Sequence, residues 1–162
     1  MIFASVGSMF PFDRLVRTVD DWTSRTGMSD VLVQIGDGTY VPRSAGWVRS
    51  LSPAEFNAAL KKCDLFVAHL GMGSLIGAVQ AKKPMVLLPR IQRLGEHTTD
   101  HQVHGARWIK GKPGVWVADD DQDLIRLLDE FKAGRIIGSP DDIPSYASPE
   151  LIGAVRHFIE AV

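Results

Sequence analysis

The stretch "HLGMGSLIGA", His69 to Ala78, sets three glycines and a serine directly behind the apolar run "CDLFVA". A strand feeding a glycine-rich turn and then a helix is an arrangement that holds anions. Glycines let the backbone approach closely, and the unpaired N–H groups of the first helical turn point at the ligand. Ser74 adds a hydroxyl. The same residues also make a tight turn with no ligand, and the glycines alone do not separate the two readings. A dinucleotide fingerprint needs a third glycine at position 76, which is Ile76, and the GK[ST] of a P-loop is absent. Further on, "GEHTTDHQ" brings Glu96, His97, His101 and Gln102 close together. His97, His101 and His104 share a face if that stretch is helical, a spacing able to bind metal; a sugar- or phosphate-facing role for His97 or His101 is the alternative, with His104 as packing or surface. His69 ends a buried strand and reads as a satisfied structural histidine, with a phosphate contact second. Arg90 and Arg93 meet diphosphate or anionic lipid, or are simply solvated. No nucleophile emerges: there is no G-x-S-x-G elbow and no Cys–His pair.

The elements that must position these residues alternate. Ile2–Val6, Val31–Ile35, Leu65–Ala68, Met85–Leu88 and Val115–Ala118 are short apolar runs that read as strands. Between them lie helical patterns. Leu15, Val16, Val19 and Trp22 recur at helical spacing from Asp13 to about Thr26, closed by Gly27. Ser52-Pro53-Ala54-Glu55 is a capping box with proline at the first helical position. A helix follows the glycine turn to about Lys82, another starts at about Thr98, and "DDDQDLIRLLDEF" opens with the acidic residues a helix start favours. Strands that are continuously apolar and alternate with helices imply a Rossmann-like parallel sheet with helices on both faces. Ligands of such sheets bind in the loops after the strands. "GSMFPF", "GDGTY", "LGMGS" and "PRIQRLGEH" are therefore expected to crowd one edge, with Gly36 and Asp37 among them. "GRIIGSPDDIPSYASPE" reads as a surface linker. The last helix, from Pro149 to Val162, carries Leu151, Val155, Phe158 and Val162 on one stripe, to pack on the core or to dock on a partner.

Composition bounds the class. The chain has 162 residues, 45% hydrophobic and 23% charged, enough for one packed domain. Eighteen Lys and Arg against 19 acidic residues give a net charge of −1 and no electrostatic case for nucleic acid. No apolar run reaches the ~18 residues of a membrane span. Cys63 is the only cysteine, which fits a reducing compartment, and the first residues lack the pattern of a signal peptide. A cytoplasmic location is expected.

"HLGMGSLIGAVQAKKPMVLLPR" followed by "GEHTTDHQ", together with "VGSMFPFDRLVRTVDDW" and "VQIGDGTY", resembles the carboxyl-terminal, donor-binding domain of glycosyltransferase family 28. It is similar above all to the family's single-domain members: the catalytic subunit of the two-part N-acetylglucosaminyl transferase, and bacterial exopolysaccharide subunits, those of glucuronosyltransferases included. The resemblance covers Met1 to about Ala118. It implies the carboxyl-terminal half of a GT-B fold that binds a UDP-sugar as donor substrate, with no cofactor and no fixed metal. It implies a membrane-anchored acceptor-binding partner subunit, a polyprenyl-diphosphate-linked acceptor, and peripheral placement at the inner membrane face through that partner. Carried over, Gly71, Met72, Gly73 and Ser74 line the uridine diphosphate, and Gly7 and Ser8 meet its phosphates. Gly36 lies at the same edge, His101 and Gln102 face the donor sugar, and Glu96 and His97 sit in the loop before them. The catalytic base falls on the partner. One position departs from the pattern: the family's ribose-holding glutamate lies seven residues before the proline of "KP", and counting back from Pro84 reaches Gly77. The expectation is therefore residues 1–135 as a UDP-sugar-binding domain, 136–148 as linker, and 149–162 as a helix that can dock a partner. The alternative is a non-catalytic accessory subunit that stabilises the membrane-anchored partner.

Overall fold

The structure is a computed structural model that describes residues 1–140 and 146–161. Six strands, β1 (Ile2–Ser5), β2 (Val31–Gln34), β3 (Gly46–Val48), β4 (Leu65–His69), β5 (Met85–Leu88) and β6 (Val115–Val117), form one sheet in the order β3-β2-β1-β4-β5-β6. Every neighbouring pair is parallel. Helices α1 (Asp13–Thr26) and α5 (Asp121–Lys132) cover one face, packing Leu15, Val19, Trp22, Leu124 and Leu128 on Ile2, Ala4 and Val33. Helices α2 (Pro53–Lys62), α3 (Met72–Gln80) and α4 (His101–Ile109) cover the other, where Leu60, Leu75 and Ala78 meet Phe3, Phe66 and Leu87. Successive residues of a strand point to opposite faces, so strands buried on both sides are apolar: β5 throughout, and β1 and β4 up to their last residues, Ser5 and His69. This is the Rossmann-like α/β fold that the alternation of strands and helices implies.

Local chemistry sets the element ends. Gly27 closes α1 at φ 65°, a left-handed turn that glycine adopts without penalty. Ser52 and Glu55 make the reciprocal capping box of α2. Helix α4 begins at His101, later than the expected Thr98. The backbone before it is engaged otherwise: Thr98 N–H donates to His97 Nδ1 at 2.9 Å, and the Asp100 carboxylate takes Gln92 N–H at 2.8 Å in place of capping the helix.

Strand β3 has no counterpart in the sequence reading. It is three residues long, starts on a glycine and lies half exposed at the sheet edge. What places it is buried Asp20, whose carboxylate accepts the N–H groups of Arg43, Ser44 and Ala45 and the Tyr40 hydroxyl at 2.7–2.9 Å. The expected linker also differs at its start, where Ile136 is buried in the core and Ser139 and Pro140 pass against Gly114. Residues 141–145 of that segment, and Val162 of the expected stripe, lie outside the described residues. Helix α6 (Pro149–Glu160), capped by Ser148, buries none of its residues, so its apolar stripe does not pack on the core.

Candidate functional site

In a sheet of this strand order the chain leaves β1 in one direction and β4 in the other, and a crevice opens between the loops that follow them. A cavity of about 530 Å³ lies there. The glycine turn after β4 forms one wall. Gly71 caps α3 with no side chain, and the first bond into the helix is from Leu75 N–H to the Gly71 carbonyl. The preceding N–H groups of the helix start, from Met72 to Ser74, are the ones with no partner inside a helix, and no acidic residue lies in that turn. The loop after β1 forms the facing wall with Gly7, Ser8, Met9 and Phe10, and His97, His101 and Gln102 complete the rim.

Three polar groups fix the β1 loop. Gly7 sits at φ 81°, its N–H donates to Ser5 Oγ at 3.1 Å, and Ser5 Oγ donates to Gln34 Oε1 at 2.5 Å. Gln34 Nε2 closes the ring on the Gly7 carbonyl at 3.3 Å. His69 is wedged between the two glycine turns. A Cβ on Gly7 would stand 2.4 Å from its Cε1, and one on Gly71 2.2 Å from its Nε2. Both positions therefore need glycine for lack of room. His69 is structural but not satisfied: its Nδ1 is buried without a hydrogen-bond partner among the described residues. Burial first, then the charges of Arg90 and His97, push its pKa down to about 4, so the ring is neutral at pH 7.

Arg90 does not extend into the cavity as a free cation. It is 2% exposed and each of its Nη atoms holds two carbonyl oxygens. Nη1 donates to Pro11 (2.5 Å) and Glu96 (3.1 Å), and Nη2 to Val6 (2.8 Å) and Phe10 (2.6 Å). It thereby staples the loop after β1 to the loop after β5. Gln102 is buried too, and its Oε1 accepts Arg90 N–H at 3.0 Å, which leaves its NH₂ to donate toward a ligand. His97 and His101 meet edge to face at 4.4 Å, and Phe10 lies against His97 at 5.0 Å.

Of the expected positions the structure gathers Gly7, Ser8, Gly71, Met72, Gly73, Ser74, His97, His101 and Gln102 on this wall. It does not bring Gly36 or Glu96 to it. Gly36 turns at φ 57° beside β3, its N–H on Arg49 O and its carbonyl on Arg49 Nη1. The Glu96 carboxylate is taken by Arg14 at 2.6 and 2.8 Å and by Ile91 N–H at 2.9 Å. His97 lies outside α4, so the three histidines do not share a helical face, and no cluster able to hold a metal exists among the described residues. Sequence reasoning missed Ser5, Gln34, Phe56 and Asn57 in the lining. A polar Gln34 ending an apolar strand was a readable signal, whereas Phe56 and Asn57 reach the cavity only through the packing of α2.

Comparison with known proteins gives a fold. No protein-family model matches the chain, and no curated protein matches it by sequence. Among solved structures, ALG13 superposes with a TM-score of 0.61 at 16% identity, over 90% of either chain. CalG4, the calicheamicin glycosyltransferase, follows it over 99% of this chain (TM-score 0.56, 16% identity), and VinC, a glycosyltransferase in complex with DTDP, likewise (0.54, 18%). The chain has the fold of a GT-B half-domain. It spans nine-tenths of ALG13 but 42% of CalG4 and of VinC. These neighbours are glycosyltransferases, in accord with the resemblance to the family 28 carboxyl-terminal domain.

Proposed function

We propose that this chain is the donor-binding subunit of a heteromeric glycosyltransferase. One observation carries the reading: the cavity at the sheet's switch point faces the open N-terminus of α3 and has no carboxylate in its lining, while the charged Arg90 lines it. Such a cavity suits a dianionic diphosphate. The N–H groups of Met72, Gly73 and Ser74 take the phosphates from one side, with Gly7 and Ser8 on the other. His97, His101 and the Gln102 NH₂ face the sugar. In the transfer, an acceptor hydroxyl attacks the anomeric carbon, the bond from that carbon to the diphosphate breaks, and UDP leaves with the electron pair. The hydroxyl proton passes to a base on the partner subunit. The helix N-terminus stabilises the charge that grows on the leaving diphosphate. The partner is a membrane-anchored acceptor-binding half, the acceptor a polyprenyl-diphosphate-linked saccharide of exopolysaccharide or glycolipid synthesis. The apolar stripe of α6 is the docking element, and it holds the chain at the inner face of the membrane through that partner. No helix among the described residues is long and apolar enough to cross a membrane.

Titration calorimetry with UDP and UDP-sugars tests this directly. Nothing lies within 4 Å of a Cβ built on Gly73, and the residue is exposed. Gly73→Val therefore keeps the fold and blocks the phosphate cradle, and binding is expected to fall at least tenfold with the melting temperature held. Absence of heat with every nucleotide, with and without the partner, rejects the donor site.

Gly77 favours the second reading, a non-catalytic accessory subunit. A Cβ there meets only Leu60 Cδ2, at 3.5 Å, an ordinary contact, so Gly77→Glu folds. A sharply tighter UDP affinity in that variant supports a weakened site and an accessory role. An affinity that is unchanged or falls for UDP and for uridine alike means that ribose is held elsewhere, and the accessory reading loses its main support. Co-purification with the partner, with and without residues 149–162, tests the docking: equal recovery removes it.

A further inference from the structure

The outward face of α4 carries an unusual combination. Trp108 is 81% exposed, and Val103 is exposed beside it. Residues 103, 104, 107 and 108 follow one another around the solvent side of the helix, opposite buried Gln102. Arg107 stands on this face, and Lys110 and Lys112 continue it beyond the helix end. Arg93 and the exposed Leu94 lie in the 3₁₀ turn (Gln92–Leu94) that Asp100 ties to the start of α4. The acidic groups around the face are already engaged: Asp119 with Lys110 at 2.8 Å, Asp100 with Gln92 N–H, and Glu96 with Arg14. Arg93, Arg107 and Lys112 have no ion-pair partner among the described residues. The face is therefore basic with an aromatic centre, although the whole chain carries a net −1.

We infer that this face binds the surface of an anionic lipid bilayer directly, without a partner subunit. An indole has an apolar body and one N–H donor, which suits it to the headgroup layer. Long basic side chains keep their charge among anionic headgroups while their stems cover apolar surface. The complementarity is with a negatively charged surface: Arg93, Arg107 and Lys112 are exposed and unpaired among the described residues, and the nearby carboxylates are already engaged. The same helix begins at His101 on the rim of the cavity, so a membrane bound along α4 lies next to the donor site.

The test is co-sedimentation of the full chain with large unilamellar vesicles, in the absence of nucleotide. Vesicles of phosphatidylcholine with about 30% phosphatidylglycerol are compared with pure phosphatidylcholine. Binding to the anionic vesicles only, weakening as salt rises from 0.05 to 0.3 M, is the expected result. Each basic residue near such a surface contributes about a fivefold factor, so removing two by Arg107→Gln with Lys112→Gln lowers the partition coefficient about 25-fold. Trp108→Ala lowers it as well, and brominated lipid quenches the fluorescence of the parent chain but not of that variant. Trp47→Ala, on β3 at the far edge of the sheet, leaves binding unchanged. All four positions are exposed, and the near-UV spectrum checks that each variant folds. Equal binding to neutral vesicles, no binding at 0.05 M salt, or full binding by the double variant overturns the inference. So does protection of Trp108 by a protein partner in the absence of vesicle binding. None of these outcomes depends on whether the cavity binds UDP.

Discussion

Replacing Arg90 by methionine removes the group on which the geometry of the cavity turns. The methionine side chain fills much of the arginine stem but has no donors. Four carbonyl oxygens lose their partner, those of Val6, Phe10, Pro11 and Glu96. The bond to Val6 is fully buried, and an unpaired buried carbonyl costs about 1–3 kcal/mol. The other three are part-buried, so water replaces a share of what is lost. Against this, a guanidinium no longer has to be kept out of water; burial lowers its pKa to about 10, which leaves it charged at pH 7 but at a cost. The net expectation is a loss of roughly 2–4 kcal/mol. At roughly 2–4 °C per kcal/mol for a chain of this size, the melting temperature falls by roughly 5–15 °C.

Thermal unfolding followed by circular dichroism measures this, and calorimetry on the same sample measures the site. Because the staple joins the loops after β1 and β5, the variant loses UDP affinity beyond what its unfolded fraction explains. Arg90→Lys keeps the charge but offers one ammonium where the planar fork reached four acceptors, and falls between the two. A methionine variant that melts within about 2 °C of the parent refutes the staple. So does one in which Lys and Met behave alike.

Three further outcomes follow from the same contacts. Gly71→Ala sets a Cβ 2.2 Å from His69 Nε2 and is expected to cost about 1–3 kcal/mol; combined with His69→Ala it costs less than the sum, and strict additivity in denaturant unfolding argues against the wedge. His69 has a folded pKa near 4 against 6.5 unfolded, so between those values the unfolded chain binds the extra proton. Stability is therefore lost as pH falls from about 6.5 towards 4, by up to roughly 3 kcal/mol, and His69→Gln flattens that part of the profile; parallel profiles refute it. Asp20→Ala frees three backbone N–H groups and the Tyr40 hydroxyl, and is expected to destabilise by about 2–4 kcal/mol while hydrogen exchange at Gly46–Val48 accelerates. Slow exchange there would show that β3 holds without it.

What could be read in the sequence was what rests on local signals. The repeat of Leu15, Val16, Val19 and Trp22 with Gly27 behind it fixes α1 to the residue, because helical periodicity and a left-handed cap are both local. Ser52 and Glu55 do the same for α2, and the apolar runs before "GDG" and "LGMGS" place β2 and β4. The glycine turn was legible as a strand-to-helix turn for the same reason. Residues whose roles depend on distant partners were not. Arg90 as a sequence letter is equally a phosphate ligand or a solvated cation, and only the meeting of the β1 and β5 loops makes it a staple. Glu96 is 82 positions from Arg14, and nothing near it announces that its carboxylate is taken. β3 was hidden because its position is set by Asp20 from inside α1. The final helix shows the limit of periodicity: an apolar stripe states that a face wants cover, and the structure leaves that face bare.

Arg14 holds two carboxylates away from the cavity wall. One guanidinium holds Glu96 through Nε and Nη2 and Asp121 through Nη1 at 2.7 Å. Neither carboxylate lies in the lining of the cavity. One guanidinium against two carboxylates leaves this cluster with a net charge of about −1, held on the side of the sheet that α1 and α5 cover. Arg90 has no such carboxylate among its hydrogen-bond partners, only carbonyl oxygens, so its charge persists beside the cavity. Two features of the cavity wall favour an anion: the helix start at Gly71 and the guanidinium of Arg90. Glycine at 77 is consistent with the same electrostatics. Gly77 is not among the residues that line the cavity; a glutamate side chain that reached it from there would bring the first carboxylate to the lining, gaining hold on ribose hydroxyls and weakening the attraction for the phosphates. How the affinity of Gly77→Glu divides between UDP and uridine therefore distinguishes a lost ribose clamp from a site tuned for the diphosphate. Tighter uridine with unchanged or weaker UDP is the expected pattern, and an equal gain for both would contradict it.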